Sequence, residues 1–473
     1  MKATTIAEIK ELVGNSVSIS DTTVTVNDEN HFIEKSLDNL IYNGVFADSY
    51  EVRGFSRWLI KAVGLKLGVF SASIQGLYEE IGSGSISGYT VPAINIRGLT
   101  YDFAATIFRS AKKINAGGFI FEIAKSEIEY TFQRPSEFTT IIIAAAIKER
   151  YRGPVFVQGD HFQVNLKKYK ADKESEIQAI KDLIREAIAG GFYNIDIDTS
   201  TLVDLSEPTL DAQQKLNYEE AAKLTSFLRS IEPDGISISI GGEIGEVGEQ
   251  NSTVEELDAY MQGYNKTLAT LGDHTGISKV SVQTGTSHGG VPLPDGSIAE
   301  VALDFETLNK LGHLAKTKYG ISGAVQHGAS TLPDELFHKF PTMNTSEIHL
   351  ATGFQNIIYD SSNFPSDIRD QIYAKLKTKF AAEKKEGQTD EQFIYKTRKK
   401  GFGLAKELLW TLPYSMRAKI QGELEEKLDF IFKQLNIANS YDDVIKAVTD
   451  KPIEPNLEEE INSAKGFTPP EHL

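Results

Sequence analysis

The chain has 473 residues, a formal net charge of −17 and a hydrophobic content of 40%. That length suits a large α/β barrel with additions, and the acidic balance argues against nucleic acid or an anionic membrane as the main partner. There is no cysteine, which excludes disulfides, thiolate metal sites, thiol nucleophiles and iron–sulfur clusters, so any metal must rest on His, Asp and Glu.

The N-terminal "MKATTIAEIKELVG" is mixed and charged, with no apolar run ahead of a cleavage site. No stretch has the length and apolarity of a membrane span, and a cytoplasmic soluble protein is the expectation. Residues 1–88 carry one helix candidate in "TIAEIKELVG" and an amphipathic stretch from "FSRWLIKAVG" to "LYEEIG". They are predicted to form a mostly helical N-terminal extension, closed by the turn-rich "GSGSISG" at 82–88.

From residue 89 the pattern changes to short β-branched runs alternating with amphipathic helical segments. The runs fall at 89–96, 117–124, 154–160, 193–199, 235–243, 279–285, 320–326 and 347–352. Eight runs with intervening helices over about 265 residues predict a (β/α)₈ TIM barrel, assigned to 89–364. A doubly wound open sheet is the alternative, but "INIRGLT" after the first run is a poor dinucleotide-binding turn. The tail, 365–473, reads as a charged helical extension, with a subunit contact conceivable around "LLWTLPYSM".

Chemistry in a (β/α)₈ enzyme sits at the C-terminal ends of the strands. Of nine histidines, His161 follows the third run, His288 the sixth and His327 the seventh, while Glu243 closes the fifth. One histidine at a strand end is commonly just a capped or surface residue. Three imidazoles and a carboxylate at one mouth make a ligand set for zinc or a similar divalent ion. His274 repeats the acid–histidine pair of 160–161 but precedes the sixth run, at the opposite end of the barrel, and is assigned a structural role.

Gly289, Gly290 and Gly328 allow close backbone approach to phosphate oxygens, and Ser330 and Thr352 add hydroxyls. Alternation along a strand points Asp160 and His161 in different directions, so one can face substrate and the other metal. The loop "EIGEVGEQNST" carries Glu246 and Glu249, either an acidic surface loop or a lid delivering a general base.

The motifs "GYTVPAINI", "VQGDHF", "AGGFYNIDIDTSTL", "GGEIGEVGE", "TGTSHGG", "QHGASTLPDE" and "EIHLAT" occur in an order that resembles the class II, metal-dependent fructose-bisphosphate and tagatose-bisphosphate aldolases over nearly all of 89–353. The resemblance implies that His161, Glu243, His288 and His327 hold the divalent metal, usually zinc. It implies that Asp160 exchanges a proton with the aldehyde oxygen, and Glu249 or Glu246 one with the dihydroxyacetone phosphate carbon. Gly289, Gly328, Ser330 and Thr352 would hold the substrate phosphate, with a monovalent cation such as K⁺ or Na⁺, and Asn95 would lie beside the substrate.

Such chemistry removes a proton beside a ketone, which a Lewis-acidic divalent ion or a Schiff-base lysine can support. Lys279 opens the sixth run, away from the mouth, which favours the metal. His349 stands where the family has a substrate-contacting asparagine, and Thr331 where it has glycine; Arg97 and Arg398 are candidates for a second phosphate. The expectation is a zinc-dependent aldolase, a homo-oligomer, cleaving a ketose bisphosphate such as fructose 1,6-bisphosphate. The alternatives are an aldolase for another ketose 1-phosphate and a noncatalytic barrel that binds sugar phosphate or supports a partner.

Overall fold

A computed structural model describes residues 2–245, 250–285, 303–448 and 451–466. Eleven strands occur among them: β1 (Val17–Ser20), β2 (Thr23–Val26), β3 (Val69–Ala72), β4 (Val91–Asn95), β5 (Ile120–Ala124), β6 (Gly153–Gln163), β7 (Asn194–Asp198), β8 (Ser239–Glu243), β9 (Lys279–Val282), β10 (Ala324–Gln326) and β11 (Thr345–Leu350). Strands β1 and β2 pair as an antiparallel hairpin outside the barrel. Strands β4 to β11 are parallel neighbours in the order β6-β5-β4-β11-β10-β9-β8-β7, and β7 pairs back onto β6 to close an eight-stranded barrel. Each predicted run overlaps one barrel strand. These strands read as near-continuous apolar runs because helices cover their outer face while their inner face is also buried.

The helices begin and end where local chemistry dictates. Asp172 caps the helix Lys173–Gly190 through its side chain, and Gly191 closes it in the left-handed region. Thr253 and Glu256 form a reciprocal capping box at the start of Val254–Leu271.

In the N-terminal segment the β1–β2 hairpin and strand β3 escape a helical reading. Strand β3 hydrogen-bonds along the lower half of β6, from Val69↔Gly153 to Ala72↔Phe156, below the point where β7 begins at Gln158↔Asn194. The Asn194 amide joins the two by donating to Ala72 O and Val157 O. The helix Gln75–Ser83 then turns under the barrel, packing Leu77, Tyr78 and Ile81 against Val91, Ala93, Ile120 and Phe156, and against Val444 and Val448 from the C-terminal segment. The N-terminal helices Leu37–Phe46 and Tyr50–Lys66 share one continuous core with the barrel helices and with Tyr414–Gln434. No helix among the described residues is long and apolar enough to cross a membrane.

Barrel interiors are usually filled by branched apolar residues. Here the middle of the interior is polar. Lys279 is 1% exposed, and its ammonium donates to Gln158 Oε1 at 2.8 Å and Glu347 Oε1 at 2.6 Å and lies 3.0 Å from Asp196 Oδ1. Tyr78 reaches up from the closing helix to donate its hydroxyl to Glu347 Oε2. Gly241 makes this possible, since a Cβ there would lie 2.2 Å from Asp196 Oδ1.

Candidate active site

At the C-terminal mouth, β6 carries the first unusual feature. The β6–β7 register slips between Gly159 and Phe162, so Asp160 and His161 together stand opposite Asp196, and His161 takes φ +44°. This is a bulge, which re-aims side chains at a barrel rim. Simple alternation would send the two residues apart; the bulge instead brings both to the same cavity.

Three strand ends meet at His161. Its Nδ1 lies 2.9 Å from Asp198 Oδ2 and 3.1 Å from Glu243 Oε2, and its ring stacks on His327 with centroids 4.3 Å apart. His327 Nε2 contacts Ser281 Oγ at 3.0 Å. Two overlapping donor sets result, Asp160–His161–His327 and His161–Asp198–Glu243, with one atom from each member within 4.8 Å of the others. Imidazole nitrogens and carboxylate oxygens in these sets suit zinc or a related divalent ion. Burial and then the neighbouring Asp198 push Glu243 up to about 7, more than the opposing His161 offsets. That is the condition a bound cation relieves, and the donor set fits one.

Asp160 is 4% exposed. Asn95 Nδ2 donates to its Oδ2 at 3.1 Å, and His349 Nδ1 lies 3.2 Å from its Oδ1. Burial would raise its carboxyl, but His161, His349 and His327 outweigh burial and hold it well below the usual carboxylate range. His349 in turn contacts Glu347 Oε1 at 2.6 Å through Nε2, linking the mouth to the polar interior.

The other side of the cavity is built by the loop after β10 and the helix Thr352–Asp360 after β11. Gly328 takes φ +71°, and the Gly353 amide donates to Ser330 Oγ at 3.1 Å. Loops after the seventh and eighth barrel strands, with a helix N-terminus, are a frequent phosphate-binding arrangement in this architecture. The cavity, about 670 Å³, is lined by Asn95, Asp160, His161, His327, Gly328, Ser330, His349 and Thr352. Glu243 meets this group through His161. Glu246, Glu249, His288 and Gly289 lie outside the described residues. His274 sits away from the mouth, against Ser226 Oγ at 3.1 Å.

Several functional candidates were not singled out by sequence reasoning. Asp198 touches His161 directly, and Glu127 accepts from both Asn95 Nδ2 at 2.9 Å and Arg97 Nε at 2.6 Å. The available signal for Asp198 was an acid repeated at alternate positions of an apolar strand, in "NIDID". Of the two arginines considered for a phosphate, Arg97 lines the cavity, whereas Arg398 is bound to Asp360 and Asn356. Tyr395, Lys396 and Lys399, from the segment assigned to the C-terminal extension, form part of the cavity wall.

Among solved structures, the chain is similar to a Sinorhizobium meliloti 1021 protein described as a probable tagatose 6 phosphate kinase. The two share 16% identity over 79% of this chain and 97% of that one, with a TM-score of 0.50, a likeness of fold alone. Weaker likenesses, on which nothing is built, reach a fructose-bisphosphate aldolase from Campylobacter jejuni (16% identity, 79% and 97% covered, TM-score 0.47) and the fructuronate-tagaturonate epimerase UxaE from Cohnella laeviribosi (11%, 92% and 94%, 0.48). No curated protein sequence matches the chain. The family model for class-II fructose-bisphosphate aldolase matches residues 82–401, about two thirds of the chain and all eight barrel strands. With this barrel and this mouth, the chain belongs to the class-II fructose-bisphosphate aldolase family.

Proposed function

We propose that the chain is a divalent-metal-dependent aldolase that reversibly cleaves a phosphorylated ketose to dihydroxyacetone phosphate and an aldehyde, with fructose 1,6-bisphosphate the first substrate to test. The observation that carries this reading is the juxtaposition of Asp160 with the His161–His327–Asp198–Glu243 donors on one side of the cavity and the Gly328–Ser330–Thr352 loop on the other. His161, Glu243 and His327 would hold zinc, with His288 completing the set and Asp198 orienting His161 or joining it. When bound, the ion supplies Lewis-acid polarisation of a substrate carbonyl.

Asp160 takes the hydroxyl proton during cleavage and returns it during condensation. Asn95 fixes its free rotation by donating to Oδ2. Gly328, Ser330, Thr352 and, after the sixth strand, Gly289 would hold the phosphate. Glu249 or Glu246 would exchange the carbon-bound proton.

A second reading keeps the chemistry but changes the aldehyde half. It is favoured by His349 in the last strand and by Arg97, whose guanidinium leans on Thr352 and Gln355 instead of on a separate remote subsite. Zinc analysis coupled to a cleavage screen over ketose monophosphates and bisphosphates separates the two. Strong preference for bisphosphates supports the first reading; a zinc-loaded chain that cleaves neither class overturns both.

A further inference from the structure

We infer that Lys399, carried by the C-terminal segment, and Arg97 form a cationic clamp that binds the substrate's phosphate directly at the Ser330–Thr352 side of the cavity, making Lys399 a specificity-determining residue. This rests on the proposed reaction only for what the phosphate is attached to.

The first observation is a charge contrast. A chain of net charge −17 gathers Arg97, Lys125, Lys168, Lys396 and Lys399 around one cavity, against the three acids Glu127, Glu129 and Asp160. The second is the state of Lys399 within the run 398–400. Arg398 is neutralised by Asp360 at 2.6 Å and Lys400 by Glu383 at 2.5 Å. Lys399 between them has no carboxylate or hydrogen-bond partner among the described residues; its ammonium lies 5.6 Å from the Tyr130 ring centroid. Burial and then the adjacent Arg97 charge push its pKa down, so the folded protein holds a partly desolvated ammonium beside a guanidinium. Glu127 compensates Arg97 at 2.6 Å but no carboxylate among the described residues pairs with Lys399, so the pair keeps one uncompensated positive charge that an anionic ligand would offset.

The third observation places the pair. Arg97 spends Nε on Glu127 and Nη1 on Gln355 at 2.8 Å and Thr352 Oγ1 at 3.4 Å, which sets the guanidinium at the N-terminus of Thr352–Asp360. Arg97 Nη2 has no protein acceptor among the described residues. A phosphate monoester, with three terminal oxygens, can accept from Lys399, Arg97 Nη2, a helix N-terminus and hydroxyls together, whereas the two oxygens of a monocarboxylate satisfy fewer of them. The clamp also brings the positive charge that a bound K⁺ or Na⁺ would otherwise contribute.

The test uses inorganic phosphate and the full-length chain. Titration calorimetry is expected to show at least tenfold weaker phosphate binding in Lys399→Met, with affinity largely restored in Lys399→Arg, and weaker binding of acetate throughout. Affinity in tetramethylammonium chloride should equal that in potassium chloride. In the wild-type chain, phosphate should protect Lys399 but not the exposed Lys266 from acetylation read by peptide mass spectrometry. That arm needs no variant to fold. Unchanged phosphate affinity in Lys399→Met, equal labelling of Lys399 with and without phosphate, or a requirement for potassium overturns the clamp. Loss of phosphate affinity on substitution, in a chain that cleaves no ketose phosphate, supports the clamp and rejects the reaction.

Discussion

The barrel contains two layers of buried ionisable side chains, and they behave differently. In the middle layer Lys279, Glu347, Asp196, Glu122 and Gln158 hydrogen-bond or pair largely with one another, closed from below by Tyr78. Burial raises Glu122 well above the usual range, while Lys279 and His349 together outweigh burial to hold Glu347 at about 2. The layer thus contains its own cation, Lys279, paired with Glu347 and Asp196. At the mouth Asp160, Asp198 and Glu243 converge on His161 and His327, with imidazoles where the middle layer has its lysine, and open onto a cavity. The comparison teaches that buried charge alone does not mark a site; buried donors that converge at the edge of a cavity do.

The sharpest way to break this contrast is at the mouth. Replacing both His161 and His327 by Ala should abolish stoichiometric metal and lower aldol cleavage by about 10³-fold or more, while circular dichroism stays native. Retained metal and turnover would place the reaction elsewhere.

Lys279→Met tests the middle layer. It leaves Glu347 and Asp196 buried without their cation, and should cost about 3–5 kcal/mol in urea unfolding. A cost under about 1 kcal/mol would mean that the layer is not held by its lysine.

The same layer has a pH signature. Glu347 is depressed from 4.5 to about 2, so its contribution to stability is full above 4.5 and is lost as pH falls toward 2. Acid unfolding of Lys279→Met should therefore move to higher pH than in the wild type; coincident acid transitions would refute the coupling.

Asp198→Asn keeps the shape of the group against His161 but removes its charge. Metal affinity should fall about 10–100-fold with little change in stability, as for acids that orient a metal-bound imidazole. Competition with a chelating dye measures it, and unchanged affinity would remove Asp198 from the site. Smallest in effect, Tyr78→Phe deletes one donor to Glu347 and should cost about 1–2 kcal/mol of stability without altering metal content. A change in metal content would mean that the two layers are not separable.

Much of this was legible from local pattern. Strand and helix periodicities are set by near neighbours, so all eight barrel strands were readable, and the strand-end rule located Asp160, His161, Glu243 and His327 at one mouth. β3 was not readable, because four residues of β-strand inside an amphipathic stretch have no periodicity of their own and exist through pairing with β6. Asp198 was hidden in a strand whose register, set by the bulge at 160–161, decides which acid meets His161.

By itself the amino-acid sequence determined the barrel, the absence of thiol chemistry and the order of the motifs, because composition and spacing are properties of the chain. Only the tertiary structure decided that Asp160 and His161 share a cavity, that Lys279 neutralises an interior layer, and that Lys399 reaches the mouth from some three hundred residues beyond Arg97. Those facts depend on which distant side chains the closed barrel and its returning C-terminal segment bring within a few ångströms, where charges act strongly because water is excluded.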